Sequence, residues 1–133
     1  GNYKNGMSEG ALVRYYETGQ LESKANYKNG MWDGAWVRYY ETGQLEFKGN
    51  FKDMFWEGPW VWYHENGQIQ SRSNYKNGRE EGAWVSYYKN GQLMRKGNYK
   101  NGKEEGAWVG YNEDGTVFKP YTGTYKGGEK ISD

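Results

Sequence analysis

The chain has 133 residues, 19% of them aromatic, with 21 Gly, 2 Pro, no Cys and a formal net charge of +1. The lack of Cys excludes a disulfide framework, a thiol nucleophile and thiolate metal sites, and the balanced charge gives no strong pull toward nucleic acid or acidic lipid. Leu, Ile, Val and Phe total only 16 residues, so aromatic rings must supply the apolar area, and no apolar run of about 18 residues exists to form a membrane-spanning helix.

The chain opens at Gly1-Asn2-Tyr3 with no initiator Met and no signal peptide, already inside a pattern. We read it as a processed or excised segment. The pattern is a repeat. Tyr3, Tyr27, Phe51, Tyr75 and Tyr99 stand 24 residues apart. The same step recurs at Leu12, Trp36, Trp60, Trp84 and Trp108, at the Val column from Val13 to Val109, and at turn glycines from Gly19 to Gly115. A fixed period of this length marks a repeat architecture. The chain divides into a half-unit 1–9, repeats 10–33, 34–57, 58–81 and 82–105, and an atypical C-terminal unit 106–133. There Tyr125 comes 26 residues after Tyr99 and Pro120 interrupts the pattern.

Each unit reads as two strands and two turns. In the second, 34–41 is aromatic and β-branched, as strands are. Thr42-Gly43 reads as a two-residue turn, and 44–52 is the return strand. Asn29-Gly30 and the residues up to Gly34 form a longer turn between units. Nothing carries a capped 3.6-residue period, so no long helix is expected. The two-residue turn pairs Tyr40 with Leu45, Arg38 with Phe47 and Trp36 with Gly49. One face then carries Trp36, Tyr40, Leu45, Gly49 and Phe51, with the Leu12 and Trp column across from a column of small residues (Ala25, Gly49, Ser73, Gly97, Gly123). The other carries Val37, Tyr39, Glu46, Lys48 and Asn50. A one-residue bulge would exchange these faces. The fold class is all-β: one elongated antiparallel sheet of about eleven strands, a hairpin solenoid held by nearest-neighbour contacts.

The motif Tyr-Lys-Asn-Gly…Glu-Gly-Ala-Trp-Val…Tyr-Tyr…Asn-Gly-Gln-Leu resembles the MORN repeat over residues 2 to 126, and most of all the variant in bacterial YwqK-type antitoxin proteins. The resemblance implies a β-hairpin solenoid used for protein interaction or, in some members, membrane association. In the antitoxin subset it implies neutralising a toxin by binding. It implies no catalytic residues.

Candidate chemistry is sparse. His64, the only histidine, sits in the column of Tyr16, Tyr40 and Tyr88 and reads as a half-exposed substitute for a sheet tyrosine. Glu9, Asp33, Glu57, Glu81 and Glu105 repeat rather than converge, whereas a catalytic pair is singular. They read as a structural row neutralised by Lys4, Lys28, Lys52, Lys76 and Lys100. No calcium-loop signature or phosphate loop is present. We therefore expect no enzyme activity, no metal and no cofactor.

Departures from the repeat are informative. Trp32, Phe47, Phe55, Trp56 and Trp62 are extra aromatics at columns that elsewhere hold mostly polar or small residues. In the same segment Asp53-Met54 replaces Asn-Gly and Pro59 replaces Ala. One reading is that these rings repair a local packing defect. The other is an exposed patch for a protein partner, with Trp the favoured hot-spot residue. A ladder of Tyr15, Tyr39, Tyr63, Tyr87 and Tyr111, about 10 Å apart, suggests carbohydrate or cell-surface binding as an alternative. Membrane association ranks third, and nucleic acid is not expected. The open strand edges suggest a monomer or a weak end-to-end dimer, with the Lys119-Pro120 insertion and the Gly-rich tail blunting one end. An antitoxin-like role places the protein in the bacterial cytoplasm; a removed upstream signal would place it in the cell envelope or outside.

Overall fold

A computed structural model describes residues 2–4 and 7–133, with side chains from Gly10 onward. The side chains of Tyr3, Lys4 and Glu9, first members of their columns, lie outside the described residues. The strands are β1 (Asn2–Lys4), β2 (Met7–Tyr15), β3 (Leu21–Lys28), β4 (Met31–Trp32), β5 (Gly34–Tyr39), β6 (Leu45–Lys52), β7 (Phe55–Trp56), β8 (Gly58–Tyr63), β9 (Ile69–Lys76), β10 (Arg79–Glu80), β11 (Gly82–Tyr87), β12 (Leu93–Lys100), β13 (Lys103–Gly110), β14 (Gly123–Lys126) and β15 (Glu129–Ser132). They form one open antiparallel sheet in the order β1-β2-β3-β5-β6-β8-β9-β11-β12-β13-β14-β15. The short β4, β7 and β10 are the leading ends of β5, β8 and β11, each set off by a kink at Asp33, Glu57 or Glu81. At roughly 4.8 Å per strand the sheet extends about 50 Å. The Gly-rich tail does not blunt the C-terminal end: Gly127-Gly128 turns β14 into β15, which adds one more strand.

The expected pairings hold at the centre of each hairpin. Trp36 lies opposite Gly49 and Arg38 opposite Phe47. The turns are the reverse of expectation. Asn29-Gly30 is a two-residue turn with both residues at positive φ, 53° and 77°, closing Lys28 onto Met31. Thr42-Gly43 belongs to a three-residue loop: the Tyr40 N–H donates to Gln44 O, and the Gly43 N–H donates to Tyr40 O. Gly43, at φ 94°, supplies the left-handed residue that such a loop requires. The loop shifts the register by one, pairing Tyr39 with Leu45, and a bulge at Glu46 shifts it back. Two irregularities thus cancel, and the register beyond them is the expected one. Within the bulge the side assignments change. Leu45 shares the face of Tyr39, because directly opposed residues share a face. Glu46 turns to the tryptophan face, 3.0 Å from Arg38.

The core is a single aromatic layer lying on the sheet. Trp60 is fully buried, with Ala25, Phe51, Ser73 and Trp108 also buried. At Gly49 and Gly97 a Cβ would overlap the indoles of Trp60 and Trp108. Glycine therefore lets these two rings lie flat, and each N–H reaches a backbone carbonyl, Asn50 O at 3.2 Å and Asn98 O at 3.0 Å.

Candidate binding face

Trp32, Phe47, Trp56 and Trp62 all join the aromatic layer. Phe47 lies directly opposite Trp62. Trp56 stacks on Trp60 at 3.9 Å between ring centroids and lies 5.9 Å from Trp62. Trp32 stacks on Tyr27 at 4.3 Å and on Trp36 at 5.7 Å. Phe47 meets Trp36 edge-on at 5.0 Å. The rings are continuous from Tyr27 to Tyr75, and the four extra aromatics are half-buried. Phe55 is not among them. It pairs with Lys52, which puts it on the opposite face, where it is 54% exposed beside the Asn77-Gly78 turn. The reason is strand alternation: if Trp56 faces the aromatic layer, its neighbour cannot.

Beside the cluster, Arg38 is held between Glu22 at 3.4 Å and Glu46 at 3.0 Å. The charge of Arg38 beside these rings is thus paired within the chain.

The second tyrosine of each Tyr-Tyr pair braces one unit to the next. The hydroxyl of Tyr16 donates to Tyr39 O at 2.6 Å, Tyr40 to Tyr63 O at 2.6 Å, and Tyr88 to Tyr111 O at 2.7 Å. His64 takes the same place, with Nε2 2.9 Å from Tyr87 O. A carbonyl only accepts, so this nitrogen carries the proton. His64 is the sheet substitute its column implies. The first tyrosines, Tyr15, Tyr39, Tyr63, Tyr87 and Tyr111, are exposed or half-buried, and Tyr39 shares its face with Leu45.

The carboxylates are not neutralised by the lysine row; no ion pair joins the two rows among the described residues. Glu57 accepts the Asn77 N–H at 2.9 Å, Glu81 the Asn101 N–H at 2.7 Å and Glu105 the Gly127 N–H at 3.0 Å. Each carboxylate fastens the next unit's tight turn. A backbone donor fixed by its turn is a better partner than a solvated lysine, whose pairing gains little.

A model of the MORN repeat variant matches residues 8–29, 32–53, 56–77 and 80–101, again in steps of 24. The chain belongs to the MORN repeat variant family. No curated protein matches it significantly. Among solved structures it is similar to the crystal structure of a GtfA/B complex bound to UDP and GlcNAc, at 12% identity and TM-score 0.32, over 64% of this chain and 17% of that one.

Sequence reasoning gave the Lys119-Pro120 insertion an edge-blunting role and missed its contact with Arg95. Lys119–Tyr121 form a short 3-10 turn. The residues flanking them close the end of β13 beyond its pairing with β14, not the outer edge of the sheet, which is β15. Phe118 N–H donates to Gly110 O at 2.7 Å and the Thr122 hydroxyl accepts from Gly110 N–H at 3.0 Å, which folds the insertion over the tryptophan face. Tyr121 then stands 5.0 Å from the Arg95 guanidinium. The available signal was the column of Arg95, which elsewhere holds Ser23, Phe47 and Ser71.

Proposed function

We propose that this MORN-variant chain is a non-catalytic binding module that seats a protein partner on the aromatic face of its second and third units, in the manner of a neutralising antitoxin or immunity factor. The observation that carries this reading is the half-exposed ring cluster of Trp32, Phe47, Trp56 and Trp62 on a one-layer sheet. Rings of this size at the centre of a patch supply most of the binding energy in protein interfaces. Because Arg38 is already paired with Glu22 and Glu46, the fitting partner segment is apolar and uncharged. Phe55, on the other face, is no part of the contact.

The test is a double variant, Phe47→Ser and Trp62→Ser, each serine being the residue found at the same column in another unit (Ser71 and Ser86). The expected result is loss of a partner captured from the native host, with the far-UV spectrum unchanged and the lost protein identified and rebound in purified form. Equal capture by both forms defeats the reading.

The carbohydrate reading rests on Tyr15, which is 64% exposed at the start of the regularly spaced tyrosine row. Tyrosine fluorescence titrated with chemically diverse polysaccharides tests it, and flat titrations dispose of it. A membrane-surface role is the third reading; vesicle co-sedimentation tests it, and no binding is the expected result.

A further inference from the structure

We infer that the cavity between the fourth unit and the C-terminal insertion is a carboxylate-binding site, with Arg95 as the anion anchor and Ser86 as a second donor. The cavity has a volume of about 320 Å³, at the low end of ligand pockets. Its walls are Trp84, Met94, Phe118 and Tyr121, and its polar groups include Arg95 and Ser86.

Three observations converge on an anion. First, the Arg95 guanidinium lies over Trp84 at 5.2 Å, Trp108 at 4.8 Å and Tyr121 at 5.0 Å. Rings on several sides hold the fork in place without using its N–H donors. Second, the fork is only loosely engaged: Nε is buried without a partner, and the one ion pair of the guanidinium, Nη2 to Glu104, is long at 3.8 Å, so a closer acceptor can displace it. Third, Ser86 is 6% exposed and its Oγ has no partner. An unpaired buried hydroxyl costs free energy that a bound acceptor would recover. Of the cavity's tyrosine hydroxyls, that of Tyr88 is already engaged, donating to Tyr111 O. A planar carboxylate accepts two parallel bonds from an arginine fork, and the apolar walls fit a small aliphatic or aromatic body behind it.

The carboxylate comes either from a free organic acid or from the end of a peptide. The site is independent of the partner-binding face proposed above, which lies on units two and three. The experiment monitors tryptophan fluorescence of the full chain with 4-phenylbutyrate, its neutral amide, and a Gly-Gly-Gly-Phe peptide as free acid and as amide. Each acid should bind roughly tenfold or more tightly than its amide. Preference for the peptide acid over phenylbutyrate assigns the source to a chain terminus; the reverse assigns it to a free acid. Ser86→Ala should weaken acid binding about threefold to tenfold without lowering the melting temperature. Arg95→Lys should keep the charge but remove most of the acid-over-amide preference, because the fork is lost. Equal binding of acids and amides, binding unaffected by both variants, or no binding of any probe to the folded wild type overturns the inference.

Discussion

How deeply each tryptophan is buried depends on one atom in the neighbouring strand. Trp60 and Trp108 lie over Gly49 and Gly97 and are buried, while Trp36 and Trp84, facing units whose small residues are Ala25 and Ser73, remain half-exposed. Replacing Gly49 with Ala puts a Cβ into the Trp60 ring. The ring must rise, and its bond to Asn50 O is lost. We expect Gly49→Ala to cost about 2 kcal/mol, within the usual range for overpacking, and to shift tryptophan emission to the red. The small column was legible in the sequence, but its physical content was not: only the structure shows that glycine and alanine in that column give different indole poses. Met54 is the opposite case. It sits at φ 72° where the sister units have Gly30, Gly78 and Gly102, and a side chain in that region costs about 1–2 kcal/mol. Met54→Gly should therefore raise stability by about 1 kcal/mol, after the extra chain entropy of glycine is allowed for. An unchanged or lower urea midpoint would remove the strain argument.

At the scale of the element, two devices join hairpin to hairpin: the tyrosine hydroxyls across one end and the glutamates across the other. Tyr40→Phe deletes a donor and leaves Tyr63 O short of a partner. About 1 kcal/mol should be lost in equilibrium unfolding. Tyr40 and two tyrosines of the ring layer make the array sensitive to alkali. Burial, and next Glu46, raise the Tyr40 pKa above 10.0; burial does the same for Tyr75 and Tyr99. A phenol whose folded pKa is raised keeps its full contribution below the unfolded value. That contribution is lost as pH climbs through the folded one, since the unfolded chain releases the proton first. Stability should stay level up to about pH 10 and fall above it, with the urea midpoint dropping as phenolate absorbance rises. A fall beginning near neutrality would point to other groups. The hairpin assignment shows why element boundaries were harder to read than element identity. Asn29-Gly30 and Thr42-Gly43 carry similar signals, and the sequence does not reveal that a bulge at Glu46 compensates a three-residue loop. Because the two irregularities cancel, the pairing of Trp36 with Gly49 was predictable while the sides of Leu45 and Glu46 were not.

At the scale of the whole molecule, stability should track the continuity of the ring layer, because a repeat array is held by contacts between neighbours. Rings are in contact from Tyr27 through Trp60 to Tyr75 and again from Trp84 through Trp108 to Tyr125. Between the two runs, Ser71 and Ser73 floor a gap of about 230 Å³ flanked by Trp62 and Trp84. Cooperative opening of such arrays divides where the coupling between units is weakest. We therefore expect native-state hydrogen exchange to resolve two blocks, with the backbone of 34–63 the more protected and 82–111 opening at lower denaturant. Filling the gap should merge them: Ser71→Phe copies Phe47 at the same column and bridges Trp62 toward Trp84. A single opening event in that variant, with a stability gain of about 1 kcal/mol from the buried ring area, is the expected outcome. Uniform exchange along the wild-type chain would show that backbone pairing rather than ring contact sets the cooperative unit.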